Sequence, residues 1–304
     1  MQGIHDNYGI MMKGLITYTG IDYASISFCI GVGALVYGVA QPFLGMLALR
    51  KSNVFVMLLG IFCCVLGLAV TPMCTNTITL LIFFGLVLPF GTTGLCFGII
   101  MGAITPIIGE KRAAAVSGIV QASAGIGDAL MSPALDMAIS KVNVSFAMRI
   151  FTIPFLAMIP IALWIKSVNK RYVQQESEIQ EDTEKVSLIS LLKFALRDRD
   201  YKLLVISFAT CGFNMSIIES HLYSQYISYG ISSEIASLTL TVYGIATMIG
   251  ATGTGFLGTK FKMKNILGGV YAIRMIISLA FLFVTKSTAF AFIATALLGL
   301  SGDA

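Results

Sequence analysis

Residues 166–202 read KSVNKRYVQQESEIQEDTEKVSLISLLKFALRDRDYK, and they form the only long polar stretch in a chain of 304 residues. The stretch carries eight basic and seven acidic side chains, whereas the sequence on either side of it is almost continuously apolar and is broken only by short turns. This pattern predicts a water-exposed bridge, residues 167–201, between two groups of membrane-embedded helices, residues 1–166 and residues 202–304.

The composition excludes an ordinary soluble domain. The mean hydropathy is +0.87, and 12% of the residues are charged, whereas about a quarter are charged in soluble proteins. Lipid must therefore surround most of the chain. The net charge of +5 does not indicate nucleic-acid binding, because the basic residues follow the pattern of membrane topology. The six cysteines lack metal-ligand spacing and are interpreted as core residues, so no metal or cofactor is expected.

The apolar runs are long enough to be membrane spans. A helix needs about 20 apolar residues to cross the roughly 30 Å hydrocarbon layer. Lipid offers no partner to unpaired backbone groups, so the predicted fold class is an all-α polytopic bundle. Residues 4–18 resemble the closing half of a further span, and a fragment cut at both ends is expected. The other spans are predicted at 26–48, 54–72, 78–102, 113–137, 146–166, 203–222, 234–258, 265–285 and 288–304.

Lysine and arginine are concentrated in alternate turns. Fifteen of the 20 lie near residues 50–53, 109–112 and 260–265 or in the polar stretch 166–202, and these segments all fall on one face of the membrane. The positive-inside rule makes that face cytoplasmic. We therefore expect a multi-pass protein of the cell (inner) membrane whose long loop is cytoplasmic.

Two similar turns indicate an internal repeat. Residues 45–51 read GMLALRK and residues 255–261 read GFLGTKF, and both turns follow a span on the same predicted face. The two leading glycines are 210 residues apart, with the polar bridge between them. This arrangement predicts two similar halves in parallel orientation.

These features resemble the major facilitator superfamily of secondary transporters, in which a Gly-x-x-x-Asp-Arg-x-Gly motif follows the second and eighth helices. Leucine and threonine replace the aspartate in the two copies here, so the charge network of that motif is not implied. The resemblance implies two pseudo-twofold-related halves of six helices, of which most of helix 1 and all of helices 11 and 12 would be missing. The residues that match the glycine and basic positions are Gly45, Arg50, Gly255 and Lys260.

Further short matches are similar to the monocarboxylate and oxalate:formate branch of this superfamily. That similarity implies a small organic anion, a mono- or dicarboxylate, as the substrate. The matching segments are KRA at 111–113, GI at 118–119, SP at 132–133, HL at 221–222, GIS at 230–232 and AS at 236–237.

Ionisable groups inside spans are costly, so each is a candidate for binding substrate or protons. At about 1.5 Å per residue, His5 and Asp6 lie roughly 16 Å below the outer end of the first span, close to the midplane. Helix 1 lines the central cavity in the resembled family. Asp6 is therefore expected to accept a proton or pair with a cation, and His5 to hydrogen-bond or to shuttle a proton. The alternative is that both belong to a disordered cut end.

Two further pairs of candidates are spaced seven residues apart, which places each pair on one helix face. In the fifth helix, burial of Asp128 beside Gln121 would favour the protonated carboxyl and let it carry a coupling proton. The alternative is a carboxylate that meets water near the outer mouth. In the seventh helix, which lines the cavity in the resembled family, Asn214 and His221 are assigned a substrate or proton role. The alternative for His221 is solvation at the outer boundary.

Arg274 lies roughly 15 Å into the ninth helix, at mid-depth. A guanidinium binds carboxylates through paired hydrogen bonds, which suits an anionic substrate. Helix 9 is usually a supporting helix in the resembled family, so the alternative is a structural partner or capped carbonyl groups.

Three glycines at every fourth position, Gly94, Gly98 and Gly102, predict one face for close helix packing. Such a face serves static packing or a surface that slides during transport, and the sequence allows both.

We therefore expect a non-enzymatic secondary transporter that works by alternating access and uses a proton or counter-substrate gradient. The sequence contains no Gly-x-Ser-x-Gly, His-Glu-x-x-His or phosphate-loop motif, and the Gly-x-Gly-x-x-Gly pattern at 253–258 lacks the strand that precedes a dinucleotide site. The expected partners are a small-molecule solute, H⁺ and the lipid bilayer, without nucleic acid, and a monomer is expected. Two alternatives stay open. One is transport of a neutral solute such as a sugar, bound by Gln41, Gln121 and Asn214, and the other is a non-transporting sensor or scaffold.

Overall fold

The computed structural model describes residues 7–176, 196–257, 261, 263–283 and 287–301. All regular elements in these ranges are helical, which confirms the predicted all-α bundle. Numbered along the chain, they are α1 (Tyr8–Thr19), α2 (Tyr23–Arg50), α3 (Asn53–Val70, followed by a 3₁₀ turn at Thr71–Met73), α4 (Thr77–Ile108), α5 (Glu110–Lys141), α6 (Val144–Ile150 and Thr152–Glu176), α7 (Arg199–Ile217, Ile218–Leu222 and Tyr223–Ser228), α8 (Ser233–Leu257), α9 (Met263–Phe283) and α10 (Thr288–Leu300).

Short polar residues begin the helices. The carboxylate of Asp22 accepts hydrogen bonds from the hydroxyl and the amide of Ser25 at the start of α2, and these bonds hold the pKa of Asp22 below its ordinary value. Such side chains satisfy backbone donors that lack a partner in the first helical turn. The other residues that cap a helix in this way are Ser52, Asn76, Asn143 and Ser287.

The helices run back and forth between two ends of the bundle. We call the end where α6 finishes and α7 begins the linker side, and the turns after α2, α4 and α8 share it. The opposite end, the far side, holds the turns after α1, α3, α5, α7 and α9. Within the described ranges, the helices that are long and apolar enough to cross a membrane are Tyr23–Arg50, Asn53–Met73, Thr77–Ile108, Val144–Val168 and Ser233–Thr254, and two shorter apolar helices are Asn265–Phe281 and Thr288–Leu300.

Helix α4 differs from the regular span predicted at 78–102. It contains a π-helical segment at Leu81–Val87, and the regular helix is interrupted between Thr93 and Phe97. The interruption separates Gly94 from the two later glycines, and a Cβ on Gly98 would meet nothing within 4 Å. Gly94 lies against the backbone of α3, and Gly102 lies against the side chain of Asn53 at the start of α3, so two of the three glycines pack closely as predicted and Gly98 does not.

Close packing occurs at other glycines. A Cβ added to Gly91 of α4 would lie 2.6 Å from the amide nitrogen of Cys64 in α3. A Cβ added to Gly125 of α5 would lie 2.5 Å from the carbonyl oxygen of Gly244 in α8. Because helices in lipid associate through such close backbone contacts, these positions fix the helix pairs α3–α4 and α5–α8.

Corresponding helix pairs before and after the polar bridge make the same kind of contact. Gly85 of α4 lies against the carbonyl of Cys29 in α2, and Gly299 of α10 lies against the carbonyl of Tyr243 in α8. Helices α2 and α8 also carry the two similar turns found in the sequence. The pseudo-twofold relation between the two groups stays a prediction that this recurrence favours.

The packing predicts that Gly91→Ala destabilises the protein. The new methyl group has no room beside the α3 backbone, and overpacking of this kind costs about 1–3 kcal/mol. The midpoint of thermal unfolding in detergent should fall measurably, whereas Gly98→Ala, in the same helix but facing open space, should leave it unchanged. Equal midpoints for the two variants would show that α3 and α4 are not in close contact at Gly91.

Candidate functional site

A cavity of about 270 Å³ lies toward the far side, where the helices before the polar bridge meet those after it. Its wall comes from α1, α5, the beginning of α6, α7 and the residue that opens α8. Of the residues that the structure describes, two charged ones line it, Lys13 of α1 and Asp136 of α5. The residues that complete the lining are Ile10, Gly14, Thr17, Tyr18, Ile139, Ser140, Val142, Asn143, Val144, Tyr223 and Ser233.

Tyr223 connects the two charges of the cavity. Its hydroxyl donates a hydrogen bond of 2.7 Å to Oδ1 of Asp136, and the Nζ atom of Lys13 lies 5.9 Å from the centroid of its ring. The three side chains are five or six residues from the far ends of α5, α7 and α1, and at about 1.5 Å per residue they share one depth. Tyr223 thus joins an ammonium group and a carboxylate from two different helices.

The burial of Asp136 explains why this contact matters. Only 6% of Asp136 and 1% of Tyr223 are exposed. A buried carboxylate is costly unless hydrogen-bond donors replace the water that it loses. The Tyr223 hydroxyl supplies such a donor, and the face of its ring attracts the Lys13 cation. The arrangement keeps two unlike charges stable at the wall of one cavity.

Two more polar contacts lie near the cavity. The Tyr23 hydroxyl, at the start of α2, is 2.9 Å from Nδ1 of His221 in α7, so α7 is held by α2 as well as by α5. The Ser132 hydroxyl of α5 donates a buried hydrogen bond of 2.7 Å to Oδ1 of Asn7, just before α1. The first bond ties the cavity helix α7 to α2, which does not line the cavity, and the second ties α5 to the residue before α1.

The structure places the predicted site residues in different surroundings. His5 and Asp6 lie outside the described residues, as do the side chains of Asp128 and Asn214. Gln121 is half-buried on α5, fifteen residues from Asp136 and therefore about 22 Å away along the helix. The roles predicted for these residues stay predictions.

His221 lies two residues before Tyr223, in the π-helical segment Ile218–Leu222. A π-turn holds more residues than an α-turn, so it shifts the helix register between Asn214 and His221. The expectation that these two residues share a face assumed a regular helix, and that assumption is wrong.

Arg274 is buried, with 3% of its surface exposed. Its Nη2 atom donates to the carbonyl oxygen of Ser301, 2.5 Å away at the end of α10, and contacts the sulfur of Met215 in α7 at 3.8 Å. The guanidinium therefore binds a helix-terminal carbonyl, as the structural alternative for this residue describes, and it joins α9, α10 and α7.

Of the two copies of the glycine and basic turn motif, only the first, residues 45–51, lies wholly within the residues that the structure describes. Arg50 is exposed and is the last residue of α2, and a Cβ added to Gly45 would meet nothing within 4 Å. Gly255 is part of α8, and Lys260 lies outside the described residues. The role predicted for the four motif residues stays a prediction.

Sequence reasoning missed Lys13 and Asp136 as site residues. The rule that ionisable groups in spans are candidates applies to both, because Lys13 falls within residues 4–18 and Asp136 within the predicted span 113–137. Each lies near the end of its predicted span, where a charged side chain is less costly and the rule therefore gives a weaker signal. Tyr223 and Tyr23 carried no comparable signal, since tyrosines are common near membrane interfaces.

The sequence profile of the Major Facilitator Superfamily matches residues 4–304. The chain belongs to this superfamily and is a multi-pass membrane protein. It is similar to MFS-type transporter 1 from Ophiocordyceps sp. (strain BCC 1869), with 24% identity over 227 residues that cover 71% of this chain and 46% of the relative. The chain thus spans about half the length of the curated relative it matches. The resemblance to the monocarboxylate and oxalate:formate branch stays a prediction.

The Tyr223–Asp136 contact predicts a measurable coupling. Tyr223→Phe leaves a buried carboxylate without a donor and should cost about 1–3 kcal/mol of stability. In the double variant Tyr223→Phe with Asp136→Asn the cost should be smaller than the sum of the single effects, because the charge that needed the donor is gone. Thermal unfolding in detergent measures all three variants. The matched control is Tyr18→Phe, a half-exposed tyrosine of the same cavity, and strictly additive effects would contradict the contact.

Proposed function

We propose that the protein is a secondary transporter that moves a small organic anion across the membrane by alternating access. Membership of the Major Facilitator Superfamily supports transport of a small solute. The observation that carries the proposal is the cavity between helices from both sides of the polar bridge, with the ammonium group of Lys13 at its wall. Sites of secondary transporters lie between such groups of helices, which rock around the bound solute.

The anionic substrate follows from the chemistry of Lys13. Among the described residues it is the cation that lines the cavity, and three hydrogen-bond donors on its ammonium group can hold a carboxylate. Arg274, the other cation considered for this role, donates to a backbone carbonyl instead. Lys13 is therefore the residue proposed to bind the carboxylate of the substrate.

The far-side contacts support a conformational cycle. Tyr223 and His221 of α7 are hydrogen-bonded to α5 and α2, so these bonds hold the two groups of helices together on that side. In the proposed cycle the bonds break when the cavity opens to the far side and form again when it closes. Energy would come from a proton gradient or a counter-substrate.

The same proposal includes the arrangement of the whole protein. Residues 1–166 and 202–304 belong to two halves related by a pseudo-twofold axis, and residues 167–201 form a cytoplasmic linker. The linker side therefore faces the cytoplasm of a cell whose inner membrane holds the protein as a monomer. No enzymatic step and no cofactor are involved.

Uptake by proteoliposomes tests the transport proposal. The protein, with whatever sequence flanks these residues naturally, is reconstituted and offered radiolabelled mono- and dicarboxylates and a neutral sugar. Lys13→Gln should reduce carboxylate uptake at least tenfold, because it removes the charge that binds the anion. Lys141→Gln, which removes an exposed lysine near the far end of α5, is the control and should transport normally. Binding without flux would indicate a sensor, and uptake of sugar alone would contradict the anionic substrate.

Proton coupling is tested separately with an imposed pH gradient. If Asp6 or Asp128 carries the coupling proton, then Asp6→Asn or Asp128→Asn should abolish gradient-driven accumulation while exchange of labelled for unlabelled solute persists. A pH gradient that changes nothing in the unmodified protein would favour a counter-substrate as the energy source.

A further inference from the structure

We infer that the far-side cavity binds a small zwitterion, a carboxylate that also carries an ammonium group, with Lys13 holding the carboxylate and Asp136 holding the ammonium. Simple α-amino acids are the chemical class that fits. The inference rests on the proposed function, because it concerns the same cavity and the same contact between Lys13 and a carboxylate, but it replaces the organic anion by a molecule of zero net charge that also carries an ammonium group. It also assigns Asp136 a role as a specificity-determining residue.

The charges of the cavity carry the inference. Lys13 and Asp136 are of opposite sign and line the same small space. A plain carboxylate would be attracted by Lys13 and repelled by Asp136. Because Asp136 is buried and Lys13 is exposed, water screens the repulsion by Asp136 less than the attraction by Lys13. A zwitterion places an opposite charge beside each of them, so the buried carboxylate of Asp136 gains a partner instead of a like charge.

Tyr223 limits how far apart the two charges lie. It contacts both Lys13 and Asp136, so they are no further apart than the tyrosine side chain and its two contacts. The ammonium group of Lys13 lies over the tyrosine ring, at the end of a flexible four-carbon side chain. An amino acid carries its two charged groups on one carbon, so the lysine side chain can reach the carboxylate of a ligand whose ammonium group is on Asp136.

Asp136 keeps the capacity to bind an ammonium group. A carboxylate offers about four lone-pair sites on two oxygens, and the Tyr223 hydroxyl occupies one of them, on Oδ1. The bond to Tyr223 also fixes the orientation of the carboxylate before the ligand arrives. Pre-orientation of this kind lowers the entropic cost of binding.

The size and the apolar part of the cavity limit the ligand further. A volume of about 270 Å³ is just below the range of roughly 300–1,000 Å³ found for small-molecule sites. Ile10, Ile139 and Val144 supply an apolar wall. The cavity therefore suits a short aliphatic side chain attached to the charged end of the zwitterion.

Three matched ligands test the inference on the unmodified protein. Alanine, propanoate and ethylamine share a carbon skeleton and differ only in their charged groups, and leucine, 4-methylpentanoate and 3-methylbutylamine form a larger series. Equilibrium binding to the purified full-length protein in nanodiscs should be at least about tenfold tighter for the amino acid of a series than for either relative, since each lost charge-assisted bond costs that much or more. Equal binding of propanoate and alanine, and of their larger counterparts, would overturn the inference, and so would the absence of binding in both series.

Variants identify the two charged contacts. Asp136→Asn keeps a group that accepts from Tyr223 but removes the charge, so amino-acid binding should fall about tenfold or more while carboxylate binding should rise. Lys13→Gln should weaken the binding of both the amino acid and the carboxylate, and Lys141→Gln should change the binding of neither. Asp136→Asn could instead weaken the binding of both ligands equally and leave the midpoint of thermal unfolding unchanged. In that case Asp136 has only a structural role and the inference is wrong.

Measurements of ligand binding and of uptake distinguish a failure of the proposed transport from a failure of the zwitterion site. Amino-acid binding without uptake in proteoliposomes would contradict the proposed transport but not the zwitterion site. Uptake of propanoate that depends on Lys13, with no preference for alanine, would support transport and reject the zwitterion site.

Discussion

A charged side chain that is buried among helices must find a partner within the protein, and that requirement decides two of the helix contacts in this structure. Asp136 meets it through the Tyr223 hydroxyl, and this bond joins α5 to α7. Arg274 meets it through the carbonyl of Ser301 and thereby ties α9 to α10. Because lipid cannot solvate either group, each polar contact also decides which helices are neighbours.

Two kinds of contact hold the helices together, and they differ in how readily they break. Glycine positions such as Gly91 and Gly125 bring two backbones together over surfaces that tolerate no added atom. The far-side hydrogen bonds are single polar contacts, each worth about 1 kcal/mol net. In the proposed cycle the polar contacts between α7 and its neighbours are therefore the ones that open, while the glycine-packed pairs within one group of helices, α3–α4 and α8–α10, move as units. The glycine contact between α5 and α8 at Gly125 joins the two groups and stays closed while the far side opens.

The helices could be predicted from the sequence because lipid imposes a simple rule of length and hydropathy. The rule does not report local irregularities: the π-helical segment at Leu81–Val87 and the break before Phe97 lie within an unbroken apolar run. The site was harder to predict. Tyr223 and Asp136 are 87 positions apart, and Tyr23 and His221 are 198 apart, so no local spacing connects them. Lys13 and Asp136 could each have been found as ionisable residues in spans, but their shared cavity depends on how α1, α5 and α7 pack.

The distance between the far ends of α5 and α7 tests the account most directly. Spin labels at Lys141→Cys and Ser228→Cys, both exposed positions, are placed in a background that lacks the native cysteines and still takes up solute. Their separation in lipid bilayers is then measured by double electron–electron resonance. The account predicts two distances, with the longer one more populated when Tyr223→Phe removes the bond to Asp136. A single distance that neither this substitution nor bound solute alters would contradict a cavity that opens to the far side.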